Sequence, residues 1–477
     1  MPDQADSPSS IPHERRIFAN RTLNLRSIRA IGYDMDYTLV HYRVQMWEER
    51  AYTRLKELLA DDGWPVAGLE FEPSSVIRGL IIDSELGNIV KANRFGYVMR
   101  AAHGTRMMTF EEQRDAYRHT PVELSEARFI FVNTLFSLSE TCLYAQLVDL
   151  LDRGDLPEVN GYEDLFRRVR TRFDEAHLEG TLKTAIAADP ERFIELDPEA
   201  PLALVDQKRA GRKLMLISNA EWEYARDIMA FAFDRFLEQG MSWRDLFDLV
   251  IVGARKPDFF SRDLPMFRVV DEAEGLLAPV PGPLPGTGAY VGGNAARVEA
   301  FLGLSGSQIL YVGDHVFADV RMSKSSLRWR TALILRELED ELLAIAKIHD
   351  LEDRLAELMA EKEALETRHC AIRLRLQRLT QGYGPQPDRT AADLERELDQ
   401  VWAGIESLDQ QLAPMARTAV EAFNPSWGTP LRSGYDISHL ARQVERSADV
   451  YTSRVSNFLH ATPFAYLRAK RGAMPHD

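Results

Sequence analysis

The sequence predicts an α/β fold built on a parallel sheet, and three observations carry that reading. Short, nearly continuous apolar runs recur at residues 28–33, 213–217, 248–252, 308–312 and 331–335. Helical patterns separate them, as expected of strands buried on both faces. Four of the runs end on residues that carry chemistry: Asp34, then Ser218-Asn219, then Arg255-Lys256, then Gly313-Asp314. In open parallel sheets, ligands bind at the carboxyl ends of the strands.

The first run carries Asp34-Met35-Asp36 at its end. About 180 residues then pass before Ser218, too many for a crossover loop, so a domain of its own is inserted there. Within that insertion, three short β-type segments near residues 79–99 form a meander with Gly/Asn turns. Helical periodicity dominates from Glu111 to Glu195. Residues 278–288 are Pro/Gly-rich and read as a surface loop. Beyond the last core strand, a heptad seam runs through Ile348, Leu351, Leu355, Leu358, Lys362, Leu365, His369, Ile372, Leu376 and Leu379. It breaks at residues 381–388 and resumes at Leu394, Leu398, Val401, Ile405, Leu408 and Leu412, which predicts an antiparallel helical hairpin. The hairpin either lies on the core or makes oligomer contacts.

The domain plan is therefore a disordered tail over residues 1–20 and a discontinuous core from 21–45 and 196–340. A mainly helical cap covers 46–195, the hairpin 341–415, and a segment packing on the core 416–477. The chain has 477 residues, 45% of them hydrophobic, which is ample for two or three domains. Its net charge of −15 opposes wrapping a phosphate backbone or docking electrostatically on a membrane. Only Cys142 and Cys370 are present, so a disulfide framework and a four-thiolate zinc site are excluded. The start is polar and Pro/Ser-rich without an apolar core, and no run approaches 18 apolar residues. A soluble, cytoplasmic protein is expected.

Two carboxylates at i and i+2 after a buried strand can share a divalent cation, or one can attack an electrophile while the other moves protons. Alone, D-x-D is common in solvated loops. The other strand ends add a hydroxyl and an amide (Ser218, Asn219), a cation (Lys256) and two more carboxylates (Asp314, Asp319). That set suits phosphoryl transfer assisted by a hard cation such as Mg²⁺.

In order, D-x-D-x-T-L, S-N, a strand-terminal Lys and G-D-x-x-x-x-D resemble the motif series of the haloacid dehalogenase superfamily. The resemblance implies a Rossmann-like parallel-sheet core with a cap inserted between the first and second motifs. It makes Asp34 the nucleophile that forms an aspartyl-phosphate and Asp36 the general acid/base. Ser218 and Lys256 would hold the phosphoryl group. Mg²⁺ would sit on Asp34, Asp314 and the main chain of Asp36, with Asp319 in support. The longer stretches IGYDMDYTLVHY, RGLIIDSELGNIVKANRFGYV, NTLFSLSET, SNAEWEY, ARKPDFF, ILYVGDHVFADV and the closing MPHD resemble the cytosolic purine 5′-nucleotidases that prefer IMP and GMP.

That resemblance implies a nucleoside pocket from Asn133, Phe136, Arg170, Asp174, His177 and Lys183, with Asn219 near the phosphate. Phe136 and His177 would sandwich the base, and Arg170 would donate to a 6-oxo group. Each residue also has an ordinary reading, such as an Arg170–Asp174 ion pair at i, i+4. Phe317, Gln443 and Arg446 match an effector-site pattern, whereas Glu123, Ser325 and Ser447 depart from it by losing two basic residues and an aromatic. Ser218 stands in place of Thr, Ala220 removes a neighbouring hydroxyl, and Leu178 replaces a Tyr. The resemblance further implies a homo-oligomer, dimer or tetramer, and a nucleoside phosphotransferase activity. A phosphatase for another small phosphoester and a non-catalytic helical assembly protein are the rival readings.

Overall fold

The computed structural model describes residues 11–421, 423–434 and 436–470. A ten-stranded sheet forms its centre. Seven strands run parallel, in the order Val450–Thr452, Arg330–Ile334, Ile309–Gly313, Ala30–Tyr33, Lys213–Ile217, Leu249–Val252 and Gly288–Gly292. The strand carrying Asp34 at its end is thus central, between those leading to Asp314 and Ser218. These strands are apolar and almost wholly buried, the pattern of a sheet covered on both faces. At Gly32 an added Cβ would lie 2.9 Å from the Tyr311 ring, so the missing side chain lets that aromatic lie across the central strand.

Antiparallel strands close both edges, and local patterning did not reveal them. Phe18–Ala19 pairs with Val450–Thr452 at one edge, while Met266–Asp271 and Leu276–Pro279 form a hairpin at the other. Two expectations change here. Residues 1–10 of the expected tail lie outside the described residues, but residues 11–20 are structured, with Phe18–Ala19 in the sheet. Strands also bound the segment read as a loop over 278–288, Leu276–Pro279 before it and Gly288–Gly292 after it.

The chain leaves the core through His41–Tyr42 and returns through Ile194–Glu195, and these segments pair antiparallel. Between them, a five-stranded antiparallel sheet has the order Arg106–Met107, Val98–His103, Asn88–Ala92, Ile81–Asp83, Phe129–Phe131. It is larger than the meander expected near 79–99, because Phe129–Phe131 returns from distant sequence to pair with Ile81–Asp83. Helices Val44–Asp61, Leu138–Asp152 and Gly161–Leu178 are the longest in the cap, with shorter ones at Phe110–Tyr117, Thr181–Ala188 and Pro190–Phe193.

The described residues up to Asp340, with those from Pro430 onward, form one compact unit, and Glu341–Thr429 forms a second. In the second, helices His349–Gln381 and Ala391–Glu421 make the hairpin. Ile372, Leu394, Val401 and Ile405 pack as one cluster, and Leu358, Leu408 and Leu412 as another. Lys362, an apparent flaw in the seam, reaches Asp409 at 2.6 Å, and His369 lies against Trp402 with ring centroids 5.5 Å apart. The hairpin unit extends past residue 415, so residues 416–429 belong to it and not to the segment on the core. Cys142 is buried and Cys370 exposed, both as free thiols. Among the described residues, no helix is long and apolar enough to cross a membrane.

Candidate active site

The carboxyl ends of the central strands converge. Asp34, Asp314 and Asp319 are buried and offer carboxylate oxygens all within 4.8 Å of one another. Lys256 enters the cluster from the end of the Leu249–Val252 strand. Its Nζ lies 2.7 Å from Asp34 Oδ1, 2.8 Å from Asp319 Oδ1 and 3.1 Å from the Tyr311 hydroxyl. Burial alone would lower the Lys256 pKa, but Asp319 and Asp34 outweigh it and hold the ammonium well above its ordinary range. Burial also raises Asp34 and Asp314, against the opposing pull of Lys256 on the former and of Arg78 on the latter. Gly313 is required beside this cluster, since a Cβ there would fall 2.6 Å from Asp319. Asp319 lies in the first turn of a π-helical stretch, Val316–Arg321, and accepts from the His315 N–H at 3.1 Å.

Three hard oxygen donors facing one ammonium leave an excess of negative charge, which a divalent cation would offset. The donor set therefore fits a divalent metal held by Asp34, Asp314 and Asp319. Asp319 offers an oxygen to this set while its Oδ1 also pairs with Lys256. The Asp36 carboxylate does not belong to it. Tyr42 donates to Asp36 at 2.5 Å and lies 2.9 Å from the Tyr224 hydroxyl. Burial raises the Asp36 carboxyl, with the Tyr42 hydrogen bond and Lys183 pulling the other way. Tyr37, at φ 53°, turns the chain straight after Asp36 and stacks edge-on with Phe136 at 4.6 Å.

Ser218 is fully buried at its strand end, and its hydroxyl accepts from the Ala220 N–H. Asn219 follows Ser218 and is tied to the lysine loop. Its amide donates to the Lys256 carbonyl at 3.2 Å and its oxygen accepts from the Lys256 N–H at 2.6 Å. That pair fixes the lysine loop, and the amide oxygen is already occupied there.

On the cap side, Phe136, Trp47 and His177 follow one another, with ring centroids at 5.5 and 6.3 Å. Trp47 therefore stands between the two rings expected to sandwich a base. His177 is fixed by its Nδ1 at 2.9 Å from the Phe173 carbonyl, and burial lowers its pKa. Arg170 does not take Asp174 as its closest ion-pair partner. It lies 2.8 Å from Glu140, a buried residue in the first turn of Leu138–Asp152. Asp174 is exposed, and Lys183 sits over the Tyr224 ring at 5.8 Å. Asn133 lies elsewhere. It lines a cavity of about 470 Å³ with Phe317, Arg321 and Gln443. An adjoining cavity of about 140 Å³ holds Arg446, Ser325, Ser447, Lys324, Arg321 and Gln443. The effector-pattern residues are thus brought together, and Asn133 belongs with them.

A profile of the 5′ nucleotidase family matches residues 17–477. The chain belongs to the 5′ nucleotidase family. It is accordingly an enzyme of the 5′-nucleotidase class, and the acidic cluster at the strand ends is its candidate active site. The closing MPHD stretch falls inside the match but outside the described residues. The chain is 25% identical over 485 aligned positions to a 5′-nucleotidase domain-containing protein of Dictyostelium discoideum, covering all of this chain and 76% of that protein. Among solved structures, it shows 13% identity and a TM-score of 0.31 to a β-phosphoglucomutase from a hyperthermophilic Pyrococcus strain, over 65% of this chain and 87% of that one. For a haloacid dehalogenase-like hydrolase of Xanthomonas campestris the values are 11% and 0.25, over 64% and 82%.

Several site residues escape reading by motif. Tyr42, Tyr224, Arg78 and Glu140 all lie within the quoted stretches, at positions with no chemistry assigned to them. Trp47 lies outside those stretches, and only its place between Phe136 and His177 marks it.

Proposed function

We propose that this enzyme hydrolyses purine nucleoside 5′-monophosphates, IMP and GMP ahead of AMP, through an aspartyl-phosphate on Asp34. The observation that carries the reading is Asp34 at the end of the central strand, ion-paired to Lys256 and within reach of Asp314 and Asp319. An Asp34 carboxylate oxygen attacks phosphorus and the bond to the nucleoside 5′-oxygen breaks. Asp36 gives that oxygen its proton; the raised pKa of Asp36 suits a donor. Water then attacks the acyl phosphate, Asp36 takes its proton, and phosphate leaves with Asp34 regenerated. Lys256 and Ser218 orient the phosphoryl oxygens. A divalent cation, read here as Mg²⁺, would neutralise charge on those oxygens when bound by the three carboxylates with the Asp36 main chain.

Base preference is assigned to the cap. Arg170 donates to a 6-oxo group, and the buried Glu140 beside it suits the adjacent N1–H as acceptor. A 6-aminopurine presents the opposite pattern to both. Because the intermediate is covalent, a nucleoside could take the phosphoryl group in place of water. Loss of basic residues at Glu123 and Ser325 supports weak or absent activation by ATP at the cleft holding Phe317, Gln443 and Arg446. Several-fold activation that Arg446→Ala abolishes would overturn that part. The small nucleotide as partner, an oligomeric state of two or four copies and a cytoplasmic location belong to the same proposal.

Phosphate release from a panel of nucleotides and sugar phosphates, with Mg²⁺ and with EDTA, tests the reading. IMP and GMP should lead and EDTA should stop the reaction. A sugar phosphate in first place would mean a phosphatase of another kind, and no release would mean a non-catalytic role.

A further inference from the structure

Arg78 stands near the start of the cap, 2% exposed, just before the Ile81–Asp83 strand. Each of its three guanidinium nitrogens has a different long-range partner. Nη2 donates to the Asp314 carbonyl at 2.6 Å, Nε to the Asn133 carbonyl at 2.9 Å, and Nη1 to Glu337 Oε1 at 3.1 Å. The first belongs to the loop that presents a carboxylate of the acidic cluster. The second lies three residues before Phe136. The third begins the helix Glu337–Lys347. A guanidinium is planar and rigid, so its donors keep fixed mutual angles, and displacing one partner strains the bonds to the others.

We infer that Arg78 is a positioning residue that holds the Asp314 loop and the Asn133–Phe136 segment of the cap as one piece, so that it sets divalent-cation affinity and nucleotide KM together. The inference rests on reading Asp34, Asp314 and Asp319 as a cation site and Phe136 as part of the nucleoside pocket. Lysine at position 78 would keep the charge but, as a single ammonium, could not span the same three acceptors in a plane.

A control exists within the cap. Arg128 makes a bidentate pair with the buried Asp83 at 2.7 Å for both bonds and supports the same sheet, and its acidic partners among the described residues, Asp83 and Glu85, both lie within the cap. A merely structural arginine should behave like Arg128.

The test uses the full chain as Arg78→Lys, Glu337→Ala and Arg128→Lys. Mg²⁺ and Mn²⁺ affinity is measured by calorimetry without substrate, melting by circular dichroism, and KM and kcat for IMP and for p-nitrophenyl phosphate at saturating Mg²⁺. Arg78→Lys should weaken cation binding at least fivefold and raise KM for IMP at least fivefold, with KM for p-nitrophenyl phosphate within twofold. Glu337→Ala frees one arm of the fork and should weaken cation binding two- to threefold, which keeps the test alive should Arg78→Lys not fold. Arg128→Lys should lower the melting temperature and leave cation affinity and KM unchanged. Unchanged cation affinity in both Arg78→Lys and Glu337→Ala would overturn the inference, as would equal losses in Arg128→Lys. If the unsubstituted chain binds no divalent cation, the cation-site reading itself falls and takes the inference with it. If it binds the cation but the variants bind equally well, only the role of Arg78 falls.

Discussion

The strand-end cluster and the cap residues around Trp47 and Glu140 both bury polar groups, yet they are built in opposite ways. At the strand ends much of the charge is already paired: Lys256 lies within 3 Å of both Asp34 and Asp319, and a divalent cation would offset the remaining excess. In the cap, Trp47 Nε1, Glu48 Oε1, Ser139 Oγ, Glu140 Oε2 and His177 Nε2 are buried with no hydrogen-bond partner among the described residues. Leaving one such group unpaired costs about 1–3 kcal/mol. The first region is thus preorganised by its own ion pairs, and a transferring phosphoryl group meets charges already in place. The second carries unspent hydrogen-bonding capacity, which a polar planar ligand could satisfy.

That contrast can be broken most severely at Asp34. Asp34→Asn should cut turnover by on the order of 10⁴-fold or more while the melting temperature stays near that of the parent, because an amide is a poor nucleophile of the same shape. Phosphate release and circular dichroism on the same preparation check both halves, and retained turnover would sink the covalent mechanism. Next comes Lys256→Met, which strands two buried carboxylates and should cost about 3–5 kcal/mol in urea unfolding. Divalent cation should restore part of that loss; if it restores none, the three carboxylates are not a cation site.

In the cap, effects should be smaller and fall on selectivity. Glu140→Gln keeps the shape but gives the buried group an amide donor. It should narrow the IMP-over-AMP ratio of kcat/KM by about tenfold, near the worth of one hydrogen bond. An unchanged ratio would leave Glu140 as a structural partner of Arg170 only. The smallest effect is on pH-dependent stability. Burial pushes Glu48 up to about 8 and Glu140 up to about 7. Both stay protonated in the fold where the unfolded chain has already released its protons. Unfolding therefore releases protons between the ordinary carboxyl range and pH 7–8, and stability falls as pH rises through that window, by at most about 1.4 kcal/mol per pH unit per group. Glu48→Gln should flatten the decline in denaturation midpoint between pH 5 and 8; an unaltered slope would show that Glu48 is ionised throughout.

The two regions also differed in how far they could be read from the chain. Asp34, Ser218, Lys256 and Asp314 announce themselves because each follows a short apolar run, and strand ends in a parallel sheet must converge on one edge. Lys362 and His369 could be placed on a helical seam from periodicity alone. The cap gave up less. Asn133 was read with Phe136 because the NTLF stretch resembles a purine site, yet Asn133 lines the cavity with Phe317, Arg321 and Gln443 while Phe136 packs against Tyr37 and Trp47, and a short 3₁₀ segment, Leu135–Ser137, intervenes before the helix that follows. Asp174 was paired with Arg170 by helical spacing, but the nearer carboxylate is Glu140, 30 positions earlier on another helix. Asn219 could be read as a phosphate ligand from its residue type, but its clamp on the Lys256 backbone could not.

By itself, the sequence determined the class of fold, the large insertion after the first core strand, the coiled hairpin and the candidate site side chains at the strand ends. Those features follow from local apolar periodicity and from chain connectivity, which adjacent residues carry. Only the tertiary structure decided that Arg78 joins the cap to the Asp314 loop, that Tyr224 meets the Tyr42 hydroxyl behind Asp36, and that Phe18–Ala19 closes one sheet edge against Val450–Thr452. Each of those depends on a partner at least 100 residues away. Hydrogen-bond geometry across such separations is set by how whole elements pack, and no local pattern records it.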